Sequence, residues 1–390
     1  MFMNTSVFIN KVELSNYKSI KRCSVRLGAL TFLVGQNGAG KSNFLDALRL
    51  VADSLNTSLE HALRERGGIN EVRRRSSVHP THFTVKLYWQ LASGSSGIYG
   101  FKIGAQSKGA FEIQSEVCKV GEQDALTEHY YIIENGLLKR SSLAVPPAVS
   151  MDRLYLVSTS GLPEFRPIYD ALTHMGFYNL NPDVIREPQP PDPGVMLKRD
   201  GSNLASVLGM LESAGEKQRI VELLSKVVPG ITDIVTRPVG KKETLEFHQK
   251  VGSNEDPWRF MSENMSDGTL RALGVLTALF QSSKNLKYPI PLVGIEEPET
   301  DVHPVGCAIL RDGLRLASQS TQVIVTSHSP DLLDDKEITS DNILAVVNSN
   351  GDTAIGGLDD AGKEALHERL YTAGELLRTN QLVPKAMAQK

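Results

Sequence analysis

Eight consecutive residues, Gly35-Gln36-Asn37-Gly38-Ala39-Gly40-Lys41-Ser42, have the types and spacing of a loop that wraps phosphate groups. Glycines at 35, 38 and 40 let main-chain N–H groups turn inward, and a helix starting behind the loop adds partial positive charge. Lys41 would reach the β- and γ-phosphates of a nucleotide, and the Ser42 hydroxyl would sit on Mg²⁺. Asn37, Ala39 and Asn43 complete the expected binding surface. The flanks fit the requirement. Leu30-Thr31-Phe32-Leu33-Val34 reads as a buried strand, and Phe44, Leu45, Ala47, Leu48 and Val51 fall at helical spacing behind the loop.

Three more stretches could complete such a site. Ser266-Asp267-Gly268 stands at the start of a helix expected over 270–280, where free N–H groups and a hydroxyl make a second anion site. A buried-strand run from Pro289 to Ile295 ends in Glu296-Glu297-Pro298-Glu299, the place for an Mg²⁺ partner and for a base that orients water. Another, Thr321 to Thr326, ends in Ser327-His328-Ser329-Pro330. Each has a plain alternative: a helix cap, an acidic loop, a structural histidine. The ordered series is far more specific than any one part.

These residues must be positioned by an α/β nucleotide-binding core interrupted by other material. Residues 1–81 read as the N-terminal half of the core, opening with a small β-layer: strand-like runs at Val7-Phe8-Ile9 and Val12-Glu13-Leu14, then Val25-Arg26-Leu27. There Tyr17 could stack on a base and Lys18 touch a phosphate, or they are a strand-edge aromatic and a solvated lysine. Period-two alternation over 82–158, closed by a strand at Leu154–Val157, reads as an inserted antiparallel β-lobe. Residues 159–262 read as mainly helical with a proline-rich linker near 186–194. Residues 263–390 return to the core, with Ile343–Val347 as the last apparent strand.

Bulk properties narrow the setting. The chain has 390 residues, of which 41% are hydrophobic and 22% charged, as in an ordinary globular protein. A net charge of −3 excludes a global basic field, so any nucleic-acid surface must be local; Arg73-Arg74-Arg75 is the compact candidate. Cys23, Cys118 and Cys307 lie too far apart for a paired metal motif and fit a reducing compartment. No leader segment or membrane-length apolar run is apparent, so the cytoplasm is the expected location.

The series resembles the ABC-type ATPases of the SMC, RecF and OLD group, often called AAA family ATPases. The resemblance covers about 1–60 and 260–345. It makes Gly35–Ser42 the Walker A motif, Ser266-Asp267-Gly268-Thr269-Leu270-Arg271 the signature motif, Ile295–Glu299 Walker B, and His328 the switch histidine. Glu296-Glu297-Pro298-Glu299, His303-Pro304 and Ser327-His328-Ser329-Pro330 resemble the OLD-like branch. Glu296 stands where an aspartate is usual and His303 where the D-loop aspartate is usual; Gln90 is the nearest Q-loop candidate.

The resemblance implies ATP and Mg²⁺ as cofactors, with Ser42 and Glu296 on the metal and Glu297, His328 and Lys41 in catalysis. It also implies a head-to-tail dimer, or a higher homo-oligomer, in which Ser266 and Gly268 of one copy complete the ATP site of another. OLD nucleases carry a Toprim domain after the ATPase, and about 45 residues after Ile343–Val347 leave no room for one of ordinary size. The expectation is therefore a nucleotide-driven switch on DNA or on a separate nuclease or toxin effector, in anti-phage defence. The alternatives are a RecF-like DNA-repair ATPase and a non-hydrolysing nucleotide-gated scaffold.

Overall fold

The runs at Leu30–Val34, Leu292–Glu296 and Gln322–Ser327 are buried throughout, apart from Glu296 at its end. Such strands have both faces covered, so they read as continuous apolar stretches rather than as alternation. In the computed structural model, which describes residues 8–75, 80–121, 128–252, 256–281 and 289–385, they lie side by side in the middle of a six-stranded sheet. In chain order the strands are β1 Ile9–Tyr17, β2 Ile20–Arg26, β3 Leu30–Val34, β4 His82–Gln90, β5 Ser96–Ala105, β6 Phe111–Gly121, β7 Glu128–Glu134, β8 Leu137–Ser141, β9 Gly176–Tyr178, β10 Ile231–Val239, β11 Lys242–Gln249, β12 Trp258–Met261, β13 Leu292–Glu296, β14 Gln322–Ser327, β15 Ile343–Ser349 and β16 Asp352–Gly356.

The central sheet runs β16-β15-β3-β14-β13-β9, parallel except for the β15–β16 pair. A second sheet is antiparallel, in the order β2-β1-β4-β5-β6-β7-β8. The β-rich stretch from residue 82 therefore carries on the sheet that β1 and β2 begin. Burial alternates residue by residue along β4, as expected of a sheet with one face on the core. A three-stranded sheet, β10-β11-β12, stands apart.

Period two decides what each face of β3 meets. Leu33 joins Leu292 and Ile324 against Phe44, Leu48 and Val51 of the Lys41–Asn56 helix, in the core shared with the seven-stranded sheet. Phe32 and Val34 join Val323, Val325, Val293 and Ile295 in a second core, built with the Asp267–Phe280 and Pro304–Ala317 helices. A buried glutamine ties the sheets together. Gln322 of β14 accepts from Ile9 N at 2.8 Å and donates to Ile9 O at 2.8 Å and Gly28 O at 2.9 Å.

Several elements differ from expectation. Ile9 and Val12–Leu14 lie in one strand, β1, which Phe8 immediately precedes; Val7 lies outside the described residues. Leu154–Val157 is not a strand: a helix, Tyr155–Thr159, starts there. The buried Glu116 carboxylate of β6 accepts from Tyr155 N at 2.5 Å and Leu156 N at 3.0 Å, a tertiary contact that overrides the apolar run. The region 159–262 holds the expected helices Arg166–Thr173, Leu204–Ser213 and Lys217–Val227, but also β9 and β12, which have no sequence signal. β16 follows the strand expected to be the last.

Candidate functional site

Strand register sets the geometry. Val34 pairs with Ser327, and Glu296 pairs with Thr326. The loop after β3, Glu297 after β13 and His328 after β14 therefore leave the sheet at one carboxyl edge, where open α/β sheets bind ligands.

The loop is braced from behind. Gly40 has φ 105°, and a β-carbon there would lie 2.3 Å from Thr353 Oγ1, so only glycine is accommodated. Thr353, on β16, donates its hydroxyl to Ala39 O at 2.8 Å and lies 2.7 Å from Ser19 Oγ. Asn43 gives its side-chain amide to the same Ser19 hydroxyl at 2.7 Å, so this expected phosphate contact serves the brace instead. Thr353 had no sequence signal; it stands 314 positions from Ala39.

The loop's ligand side is open. Gln36, Asn37, Gly38 and Ser42 are exposed, while Lys41 is buried. No side chain caps the Lys41–Asn56 helix, which leaves its first N–H groups to an anion. Lys41 Nζ donates to Gly35 O at 2.7 Å and Gln36 O at 3.1 Å, and lies 3.9 Å from Glu297 Oε1. Burial lowers the Lys41 pKa below the ordinary lysine value, while Glu297 and Glu299 act against that shift.

The acids do different things. Glu297 has φ 43°, in the left-handed region, held by hydrogen bonds from its N–H to Thr326 O at 3.0 Å and Thr326 Oγ1 at 3.2 Å. His328 Nδ1 lies 3.1 Å from Glu297 Oε1 without hydrogen-bond alignment, and remains a buried polar atom with no partner. Glu299 is buried. Its Oε1 accepts from Ser327 Oγ at 2.6 Å and His328 N at 3.3 Å, its Oε2 has no partner, and burial raises its pKa. Glu299 thus sets the position of His328, a role its place in an acidic run did not reveal. Glu296 is engaged by Arg199 Nη2 at 2.8 Å.

Other expected residues are placed elsewhere. Tyr17 is fully buried, edge-on to Phe83 at 5.6 Å, with its hydroxyl donating to Asp46 at 2.8 Å; it cannot stack on a base. Lys18 pairs with Asp46 at 2.6 Å. Each arginine of the cluster has a partner within the chain: Arg74 pairs with Asp352, Arg73 donates to Pro80 O at 2.9 Å, and Arg75, still exposed, pairs with Glu71. Gln90 lies in β4, paired with Ser96, in the sheet that does not carry the loop. His303 caps the Pro304–Ala317 helix, accepting from Val305 N at 3.4 Å.

Ser266 caps the Asp267–Phe280 helix, accepting from Thr269 N at 3.3 Å. A β-carbon on Gly268 would lie 2.3 Å from Asp301 O, and Arg271 pairs with Asp301 at 3.7 Å. Among the described residues, no hydrogen bond or ion pair joins 266–271 to 35–42.

This donor set fits a Mg²⁺–triphosphate. Ser42 and Glu296 would supply hard oxygen ligands, and an uncapped helix end and the Lys41 ammonium would meet an anion. Among the described residues no cluster of three or more His, Cys, Asp or Glu could hold a metal by itself. A magnesium shell completed by phosphate and water needs none.

The comparisons with known proteins agree with this geometry. Residues 8–128 match the family described as "AAA ATPase domain". Residues 246–334 match the family described as "AAA domain, putative AbiEii toxin, Type IV TA system". Among solved structures, an SMC head bound to the C-terminal winged-helix domain of ScpA is 16% identical, with TM-score 0.55, over 91% of this chain and 99% of that one. An SMC head from Pyrococcus furiosus, bound to the C-terminal domain of ScpA, is 14% identical, with TM-score 0.51, over 93% and 99%. At these identities the likeness concerns the fold. No curated protein matches the chain in sequence. Among the described residues, no helix is long and apolar enough to cross a membrane. ATPase-domain matches thus flank the site on both sides, on a chain whose fold resembles that of SMC heads along most of its length.

Proposed function

We propose that the chain binds and hydrolyses ATP between two copies of itself, and that the resulting closing and opening drives a separate effector. One observation carries the catalytic reading: Lys41 Nζ and His328 Nδ1 both approach Glu297 Oε1, at 3.9 Å and 3.1 Å. On ATP binding, Lys41 exchanges the carbonyls of Gly35 and Gln36 for phosphate oxygens. Glu297, aimed by its fixed backbone, orients the attacking water and takes up its proton. His328, seated by Glu299, turns its free nitrogen to the γ-phosphate. Mg²⁺ on Ser42 and Glu296 would neutralise charge developing on the phosphates.

The trans arrangement is supported by the signature residues: Ser266 and Gly268 are occupied with their own helix and with Asp301, and among the described residues no hydrogen bond or ion pair ties them to the loop of the same chain. Effector control in phage defence, as in the OLD-like branch, is supported by the toxin–antitoxin description of the family matching 246–334.

Light scattering of Glu297→Gln with Mg²⁺–ATP tests the shared site. A dimer or higher oligomer that needs ATP is expected, and a monomer at saturating ATP overturns it. Purification from the native host tests the effector. A co-eluting protein is expected, whereas a lone dimer with tightly held DNA overturns it in favour of a RecF-like DNA-repair role.

A further inference from the structure

The turn at 198–203 lies outside the motif series, yet it is built with unusual care. Asn203 is buried. Its side chain accepts from Lys198 N at 2.8 Å and donates to Asp192 Oδ1 at 3.0 Å and Met196 O at 2.9 Å, so it closes the turn rather than capping the Leu204–Ser213 helix. Gln189, also buried, donates to Gly201 O at 2.8 Å. On the other side, the carbonyls of Arg199 and Asp200 accept from Asn179 N at 2.9 Å and Asn181 N at 3.1 Å. Asn179 directly follows β9, the neighbour of β13.

All this anchors the Arg199 backbone to the edge of the sheet that carries Glu296. The Arg199 side chain then reaches Glu296 Oε1 at 2.8 Å, with side-chain exposures of 45% and 19% for the two residues. Among the described residues the Glu296 carboxylate has no other polar partner. A partly exposed ion pair contributes little stability, too little to account for such a built turn. Its location accounts for it better: Glu296 is the acid that would share Mg²⁺ with Ser42.

We propose that Arg199 is a positioning residue that competes with the divalent cation for Glu296. With the site empty, the guanidinium holds the carboxylate. Loading of the Mg²⁺–triphosphate takes Glu296 away and frees the Arg199 side chain, while the anchored turn keeps its backbone in place to recapture the carboxylate when the site empties. The inference rests on the Mg²⁺–ATP reading of the site and deepens it: one ion pair sets how readily Glu296 is given up to the cation. It also gives the glutamate at this position a use, since its longer side chain can serve either cation.

The test is Mg²⁺ titration of fluorescent ATP-analogue binding to the full chain, which needs no turnover. Arg199→Ala should lower the Mg²⁺ concentration for half-maximal binding by about tenfold, because the competing cation is gone. Arg199→Lys should stay near the wild type, and Arg199→Ala should change nothing once Glu296 is Gln. An unchanged midpoint in Arg199→Ala overturns the inference. So does a raised midpoint, which would make Arg199 a phosphate ligand instead. If wild-type binding ignores Mg²⁺, the site reading falls and this inference with it. If the wild type needs Mg²⁺ and Arg199→Ala matches it, only this inference falls.

Discussion

Gly268 packs so closely on the main chain of Asp301 that a β-carbon would stand 2.3 Å from the Asp301 carbonyl oxygen. Arg271, one helical turn further on, pairs with the Asp301 carboxylate at 3.7 Å. The helix that would serve another copy's ATP is thereby locked to the turn that follows this copy's own Glu297. A main-chain oxygen cannot step aside as a flexible side chain can.

Gly268→Ala should therefore destabilise the isolated chain by about 1–3 kcal/mol through overpacking. Ser266→Ala, which removes a cap, should cost about 1 kcal/mol. Urea unfolding without nucleotide measures both. If Gly268→Ala is as stable as the wild type, the helix and the turn are not locked.

Glu297→Gln keeps the side-chain length at a backbone position of φ 43° but removes the base. ATP turnover should fall about 10²–10⁴-fold while ATP-analogue binding persists. Equal turnover by the two proteins would favour the nucleotide-gated scaffold.

Thr353→Ala touches no expected ligand atom, yet removes the hydroxyl that holds Ala39 O at 2.8 Å and Ser19 at 2.7 Å. The buried carbonyl of Ala39 would lose a partner, a loss of about 1–3 kcal/mol. ATP-analogue affinity should drop about tenfold as the loop loosens, and unaltered affinity would show that the brace is dispensable.

Asp46 carries the clearest pH dependence. Burial raises its pKa, but Arg66, Lys18 and Arg49 outweigh burial and bring it down to about 2. A carboxyl depressed in the folded state stabilises above its unfolded pKa, and that contribution is lost as pH falls. Asp46 should contribute about 2 kcal/mol near neutral pH, lost between about pH 4 and pH 2. The stability difference between wild type and Asp46→Asn, followed by urea unfolding, should shrink through that window. A constant difference would contradict the assignment.

Much of the site was legible in the sequence because its parts are local. A phosphate loop needs contiguous glycines, a lysine and a hydroxyl, and its strand and helix flanks carry their own periods. β3, β13 and β14 were legible for a related reason: a strand covered on both faces must be apolar throughout. The acids and the histidine follow because they end such strands.

What only the tertiary structure decided is which distant side chains complete these parts. Gln322 stitches β14 to Ile9 across 313 positions, Thr353 braces the loop across 314, and Arg199 meets Glu296 across 97. Glu116 turns an apolar run into a helix start across 39 positions. Tyr17, an exposed-looking aromatic in sequence, became core because it points to the face of β1 that packs on Phe83 and on Asp46 of the Lys41–Asn56 helix. Period and motif act over a few residues, whereas these contacts depend on strand order. Strand order is settled when two cores close on one sheet, and no local pattern records it.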